Sequence, residues 1–149
     1  MRASANTLFF ILQGGVMKYV QDVKTENRTD LITSTIIGAA IEVHRNLGPG
    51  LLESVYEVCL AYEFNLKKLK FNRQQLLPIV YKGVILNCDY RIDFLVENKV
   101  IVEIKSVKDL AAVHEAQLLS YLKLRGEGLG LLINFNVPLL KDGIRRFKI

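Results

Sequence analysis

Two carboxylates and an amine sit inside a pair of apolar runs, in the segment that reads Arg91, Ile92, Asp93, Phe94, Leu95, Val96 and then Val100, Ile101, Val102, Glu103, Ile104, Lys105. Successive side chains of a strand point to opposite faces. Ile101, Glu103 and Lys105 therefore share one face of the second run, and Val100, Val102 and Ile104 the other. On the first run Arg91, Asp93 and Leu95 lie opposite Ile92, Phe94 and Val96. If Glu97, Asn98 and Lys99 form the connection, Val96 pairs with Val100 and Asp93 falls directly across from Glu103. A two-residue loop would turn Asp93 to the other side and dissolve the arrangement. Directly opposed residues have Cβ atoms roughly 4.5 to 5.5 Å apart, close enough for both carboxylates to hold one cation. Like charges so placed repel, and burial raises the cost. A divalent metal relieves both. All-oxygen donors with room for water suit Mg2+ or Mn2+ better than Zn2+, and neither Cys nor His lies nearby at zinc spacing. The alternative is an exposed strand face on which Arg91, Asp93, Glu103 and Lys105 are paired, solvated charges.

Placing this hairpin requires the elements around it. In residues 31–46 the apolar positions Ile32, Ile36, Ala39, Ala40 and Val43 recur at helical spacing, and Leu47-Gly48-Pro49-Gly50 ends the run. A second helix follows, with Leu52, Val55, Cys59, Tyr62, Leu66 and Leu69 as a continuous apolar stripe. Residues 75–81 read as a strand carrying Leu77, Ile79 and Tyr81, turned by Lys82-Gly83. The charged hairpin occupies about residues 89–107. A third helix over residues 112–125 is supported by Val113, Ala116, Leu119 and Leu124 and closed by Gly126 to Gly128. Residues 130–136 read as a short buried strand, and 143–149 as a short edge strand. The order is helix, three strands, helix, strand, an α/β fold with a central mixed sheet flanked by helices.

Composition sets the bounds. The 149 residues suit one domain, and 50% apolar with 23% charged residues exclude a disordered chain. A net charge of +5 fits a polyanionic partner, as it fits many ordinary basic proteins. Cys59 and Cys88 read as reduced, structural thiols, which points to the cytoplasm. The apolar residues 8–12 are too short to span a bilayer and lack the flanks of a targeting segment, so no membrane association is expected. Residues 1–30 read as a flexible lead-in and 31–149 as the domain. In a prokaryotic source the codons for Gln13-Gly14-Gly15 can spell a purine-rich ribosome-binding sequence ahead of Met17, and translation is then expected to begin there.

Other groupings carry weaker chemistry. Glu53 and Tyr56 in Gly50-Leu-Leu-Glu53-Ser-Val-Tyr56 lie on one side of the second helix, although the helix dipole alone accounts for an acidic residue there. Gln117 and Tyr121 are neighbours on the third helix, a spacing that serves a half-buried structural contact as readily as a clamp. His44 and His114 sit at helix ends, where capping or packing is the ordinary role. Lys67, Lys68 and Lys70, like Arg145, Arg146 and Lys148, are phosphate-binding candidates or simply solvated faces.

Gly50, Glu53 and Tyr56 match the motif that names the GxxExxY proteins, and over residues 32–149 the chain resembles that family, a branch of the PD-(D/E)XK nuclease superfamily. The resemblance implies a restriction-endonuclease-like core of a helix, three strands, a helix and a strand. It implies a site of Asp93 on the second strand and Glu103-x-Lys105 on the third, with Gln117 and Tyr121 matching the Gln-x-x-x-Tyr element of RecB-like members. Glu53 matches the acidic residue on the first core helix. Ile92 stands where the motif's name has Pro. By this resemblance Asp93, Glu103 and the Ile104 backbone carbonyl hold Mg2+ or Mn2+, with Glu53 binding it through water or accepting a second ion. Lys105 orients the attacking water, and Gln117 and Tyr121 position Lys105 or the substrate. Tyr56, Lys67, Lys68, Lys70 and Arg91 are the expected substrate contacts. The implied activity is divalent-metal-dependent hydrolysis of phosphodiester bonds in DNA or RNA. The competing expectation is a silent nucleic-acid- or partner-binding module on the same fold.

Overall fold

The computed structural model describes residues 14–126 and 128–149, with side chains from residue 27 onward. The chain divides into two compact units, residues 1–31 and 32–149, and the second contains the whole sheet. Helix α1 is Gly14–Leu47, so residues 18–30, expected as a flexible lead-in, are helical. The expected start at Met17 concerns an upstream segment of which residues 1–13 lie outside the described residues.

Within the second unit, α2 (Glu53–Leu66) is followed by β1 (Phe71–Leu76), the hairpin β2 (Ile79–Tyr81) and β3 (Val84–Leu86), then β4 (Arg91–Val96) and β5 (Val100–Lys105). Helix α3 (Ala112–Arg125), β6 (Leu129–Asn134), a 3-10 turn (Leu140–Gly143) and β7 (Ile144–Lys148) complete it. The five-stranded sheet has the order β1-β4-β5-β6-β7. Only β5 and β6 are parallel, as the α3 crossover between them requires. The expected core order is present as α2, β1-β4-β5, α3 and β6, and β7 is the edge strand expected at the C-terminus.

Two departures have physical causes. The strand expected over residues 75–81 is broken at Leu77-Pro78, because proline has no N–H for a ladder. The core strand lies earlier, in the polar run Phe71-Asn-Arg-Gln-Gln-Leu76, which can be polar because β1 is a sheet edge with solvated side chains. The other departure concerns which helix faces are buried. Tyr56, Leu60, Ala61 and Phe64 face the core from α2, whereas Leu52, Val55, Tyr62 and Leu66 of the expected stripe are exposed. On α3 the buried residues are Leu118, Tyr121 and Leu122, while Val113 and Leu124 are exposed.

One apolar cluster joins Ile32, Ile36, Ala39, Ala40 and Val43 of α1 with the α2 residues and with Phe94, Val96, Val100, Val102 and Ile104. A second joins Leu95, Ile101 and Leu132 with Leu118, Tyr121 and Leu122 of α3 on the other face. Ile92, expected on the Phe94 face, packs with this second cluster. Gly130 lets α3 lie close to β6, since a Cβ there would stand 2.8 Å from Leu118 Cδ1. Among the described residues no helix is long and apolar enough to cross a membrane.

Candidate active site

The hairpin connection is the three-residue one. Glu97 and Asn98 take left-handed φ values of 52° and 53°, the Lys99 N–H donates to the Val96 carbonyl at 3.0 Å, and Val96 pairs with Val100. The ladder runs through Phe94 and Val102 and then gives way to side chains at the next position. There the Asp93 N–H donates to Glu103 Oε1 at 3.1 Å, and the Ile104 N–H donates to Asp93 Oδ2 at 2.8 Å. Each carboxylate thus binds the backbone of the opposing strand, and both are held where the strands part. This convergence is what the alternation and the loop length imply.

Burial sets the electrostatics of the pair. Glu103 is only 3% exposed. Desolvation, reinforced by the Asp93 charge, pushes its pKa from an ordinary 4.5 up to about 8. Asp93 is raised as well, again by burial first, against hydrogen bonds from the Ile104 N–H and Gln74 and the attraction of Lys105. Two carboxyls in this setting resist full ionisation without a cation beside them. An all-oxygen pair with a neighbouring carbonyl has the donor chemistry of a hard divalent ion, so these residues fit the metal the resemblance implies. Among the described residues no third Asp, Glu, His or Cys completes a cluster of three with them. Glu53, exposed in the first turn of α2, acts on Asp93 at longer range, as a charge that raises its pKa.

Lys105 is joined to α3. Its Nζ donates to Gln117 Oε1 at 3.4 Å, Gln117 Nε2 donates to the Tyr121 hydroxyl at 2.8 Å, and that hydroxyl donates to the Arg91 carbonyl at 2.8 Å. Burial and the Glu103 charge push the Tyr121 pKa up to about 12, so the hydroxyl stays a donor at neutral pH. The chain of bonds sets Lys105 from behind and ties β4 to α3.

The remaining candidates divide. Tyr56 is fully buried and stacks on Phe135 with centroids 4.5 Å apart. Its hydroxyl donates to the Gly48 carbonyl at 2.6 Å and accepts from the Leu51 N–H at 3.2 Å. The expected substrate contact is therefore corrected: Tyr56 fastens the loop that precedes Glu53. Lys67, Lys68 and Lys70 lie at the opposite end of the hairpin from Asp93, where Lys70 exchanges bonds with Glu97. Arg91 directs its guanidinium to Asp89 at 2.9 Å. His114 accepts from the Ala111 N–H at 3.0 Å as a cap, His44 bonds the Val137 carbonyl at 2.7 Å, and Cys88 is exposed rather than packed.

Further residues support the site from outside the motifs. Ser106 donates to the Leu51 carbonyl at 2.6 Å, bringing the loop before Glu53 to the end of β5. Buried Asn134 donates to the Val107 carbonyl and accepts from its N–H, fixing the chain beyond Lys105. Glu57, one turn after Glu53, pairs with Arg73 and Gln74. Its spacing of four from Glu53 was the available clue.

A mixed sheet flanked by helices that gathers an Asp, a Glu-x-Lys and a helical Gln-x-x-x-Tyr at one end defines the restriction-endonuclease-like class. A family model described as the PD-(D/E)XK nuclease superfamily matches residues 30–147, and the chain belongs to that superfamily. Neither curated proteins nor solved structures yield a significant match.

Proposed function

We propose that the protein is a divalent-metal-dependent nuclease of the GxxExxY branch, acting on DNA or RNA. The observation that carries this reading is the crosswise bonding of Asp93 and Glu103 at the point where β4 and β5 part, with Lys105 on the same face. A binding module has no use for a buried acidic pair that repels phosphate. Superfamily membership supports the same activity class. The net charge of +5 supports a polyanionic substrate, and the two free cysteines support a reducing, cytoplasmic setting.

Asp93, Glu103 and the Ile104 carbonyl would hold Mg2+ or Mn2+, with Glu53 as an outer carboxylate. The chemistry such an ion would supply there is Lewis acidity toward the phosphate oxygens and activation of water as a nucleophile. Lys105 offers its ammonium to the charge that develops on the phosphoryl oxygens. Gln117 keeps that ammonium in place, and Tyr121 keeps the Gln117 amide from rotating. The arrangement is preorganised before substrate arrives, the condition under which such donors are most effective.

The test is incubation with labelled single- and double-stranded DNA and RNA in Mg2+, Mn2+ or EDTA. Cleavage is expected only with metal, and product lengths separate internal from end-directed cutting. Lys105→Ala is expected to lower the rate by roughly 100- to 1,000-fold, and Glu103→Ala to abolish it, with folding retained. Equal cleavage by parent and variants refutes the proposal. Salt-sensitive binding indifferent to EDTA, without cleavage, establishes the binding module instead.

A further inference from the structure

Gln74 of β1 lies beside Asp93 in an unusual conformation. The register pairs Arg73 with Phe94 and Gln75 with Ile92, but Gln74 and Asp93, which fall between them, are not paired. Gln74 has φ 49°, a left-handed backbone that is costly for a residue with a side chain and persists only where its surroundings enforce it. The side-chain amide nitrogen donates to Asp93 Oδ1 at 3.1 Å and to Glu57 Oε2 at 3.0 Å. Glu57 is in turn anchored through its other oxygen by Arg73 at 2.9 and 3.1 Å. Turning the amide over would set its oxygen against two carboxylates, so the network fixes which end faces Asp93.

The consequence falls on Asp93. Its Oδ2 is held by the Ile104 N–H and its Oδ1 by Gln74. Each carboxylate oxygen has about two acceptor positions, so one remains on each for a cation while the group cannot rotate. We propose that Gln74, oriented by Glu57 and Arg73, is a positioning residue that sets the Asp93 carboxylate for metal binding. This rests on the metal-site reading above. Outer partners of metal ligands tune affinity by roughly 10- to 100-fold, and Gln74 is such a partner supplied from the sheet edge.

The test uses Mn2+ alone, titrated calorimetrically into the full chain without substrate. Gln74→Met keeps the unbranched stem and removes the donor, and is expected to weaken Mn2+ roughly 10-fold or more, with the melting temperature in EDTA close to the parent's. Glu57→Ala is expected to weaken Mn2+ in the parent but to add little in the Gln74→Met background, because the two act in series. A merely structural role predicts independent, additive effects and a melting temperature that falls in EDTA. Parent-like affinity in Gln74→Met, with Asp93→Asn losing the metal, overturns this inference and leaves the metal site standing. No Mn2+ binding by the parent overturns both.

Discussion

Glu103 holds a proton in the metal-free fold over a pH range where the unfolded chain has released it. Its pKa is raised from 4.5 to about 8, so the unfolded state binds fewer protons than the folded state between those values. Glu103 therefore contributes stability that is lost as pH rises through that window. Thermal melts in EDTA are expected to show a melting temperature that declines between about pH 5 and about pH 8, a slope that Glu103→Gln, a stand-in for the protonated acid, should flatten. A pH slope identical in the parent and Glu103→Gln would show that the carboxylate is already ionised in the fold. Because a metal needs the deprotonated ligand, Mn2+ binding should release protons and tighten with pH over the same range. Heats of binding in buffers of different ionisation enthalpy count those protons.

At the scale of elements, the loop before α2 is built by Tyr56 rather than by contacts to a ligand. Tyr56→Phe keeps the Phe135 stack but leaves the Gly48 carbonyl and Leu51 N–H without their partner. The expected loss is about 1 to 2 kcal/mol, read by urea denaturation, with the cleavage rate changed far less than by Lys105→Ala. Gly130→Ala should cost about 1 to 3 kcal/mol, because the added Cβ meets the buried Leu118 side chain of the helix that carries Gln117. These elements also show what was legible in the sequence. Strand alternation put Asp93 opposite Glu103 only on condition of a three-residue connection, which the left-handed Glu97 and Asn98 supply, and the alternation itself fails one residue earlier, at Ile92. Helical periodicity located α2 and α3 but selected the exposed stripe on each, since both helices carry apolar residues on more than one face and only the sheet decides which is buried. Tyr56, expected as a substrate contact, and Tyr121 instead lie on the buried faces, each with its hydroxyl bonded to a backbone carbonyl. Strand β1 and the network of Glu57, Gln74 and Asp93 had no hydrophobic signal, since a polar edge strand resembles a loop in sequence.

For the whole molecule, the question is which basic surface meets a polyanion. The site lies where β5 ends, and Lys105 pairs in register with Asn134 at the end of β6. Lys108 and Arg145, together with Asp109 and Asp142, border the recess beside Asn134 at that same end, and both basic residues are exposed. Lys67, Lys68 and Lys70 sit at the far end, next to the turn at Glu97. On the proposed function, a phosphate chain crossing Lys105 is expected to run toward Lys108 and Arg145 and not toward the lysine cluster. Each lysine or arginine that neutralises a phosphate adds about one to the slope of log affinity against log salt. The Lys108→Ala, Arg145→Ala double variant is expected to reduce that slope by about two, measured by fluorescence anisotropy in Ca2+ on the Glu103→Gln background so that nothing is cleaved. Replacing Lys67, Lys68 and Lys70 together should reduce it by less than about one, even though this variant removes more charge. If the triple variant shows the larger change, the nucleic acid follows the opposite end of the sheet, and the path across Lys105 is wrong.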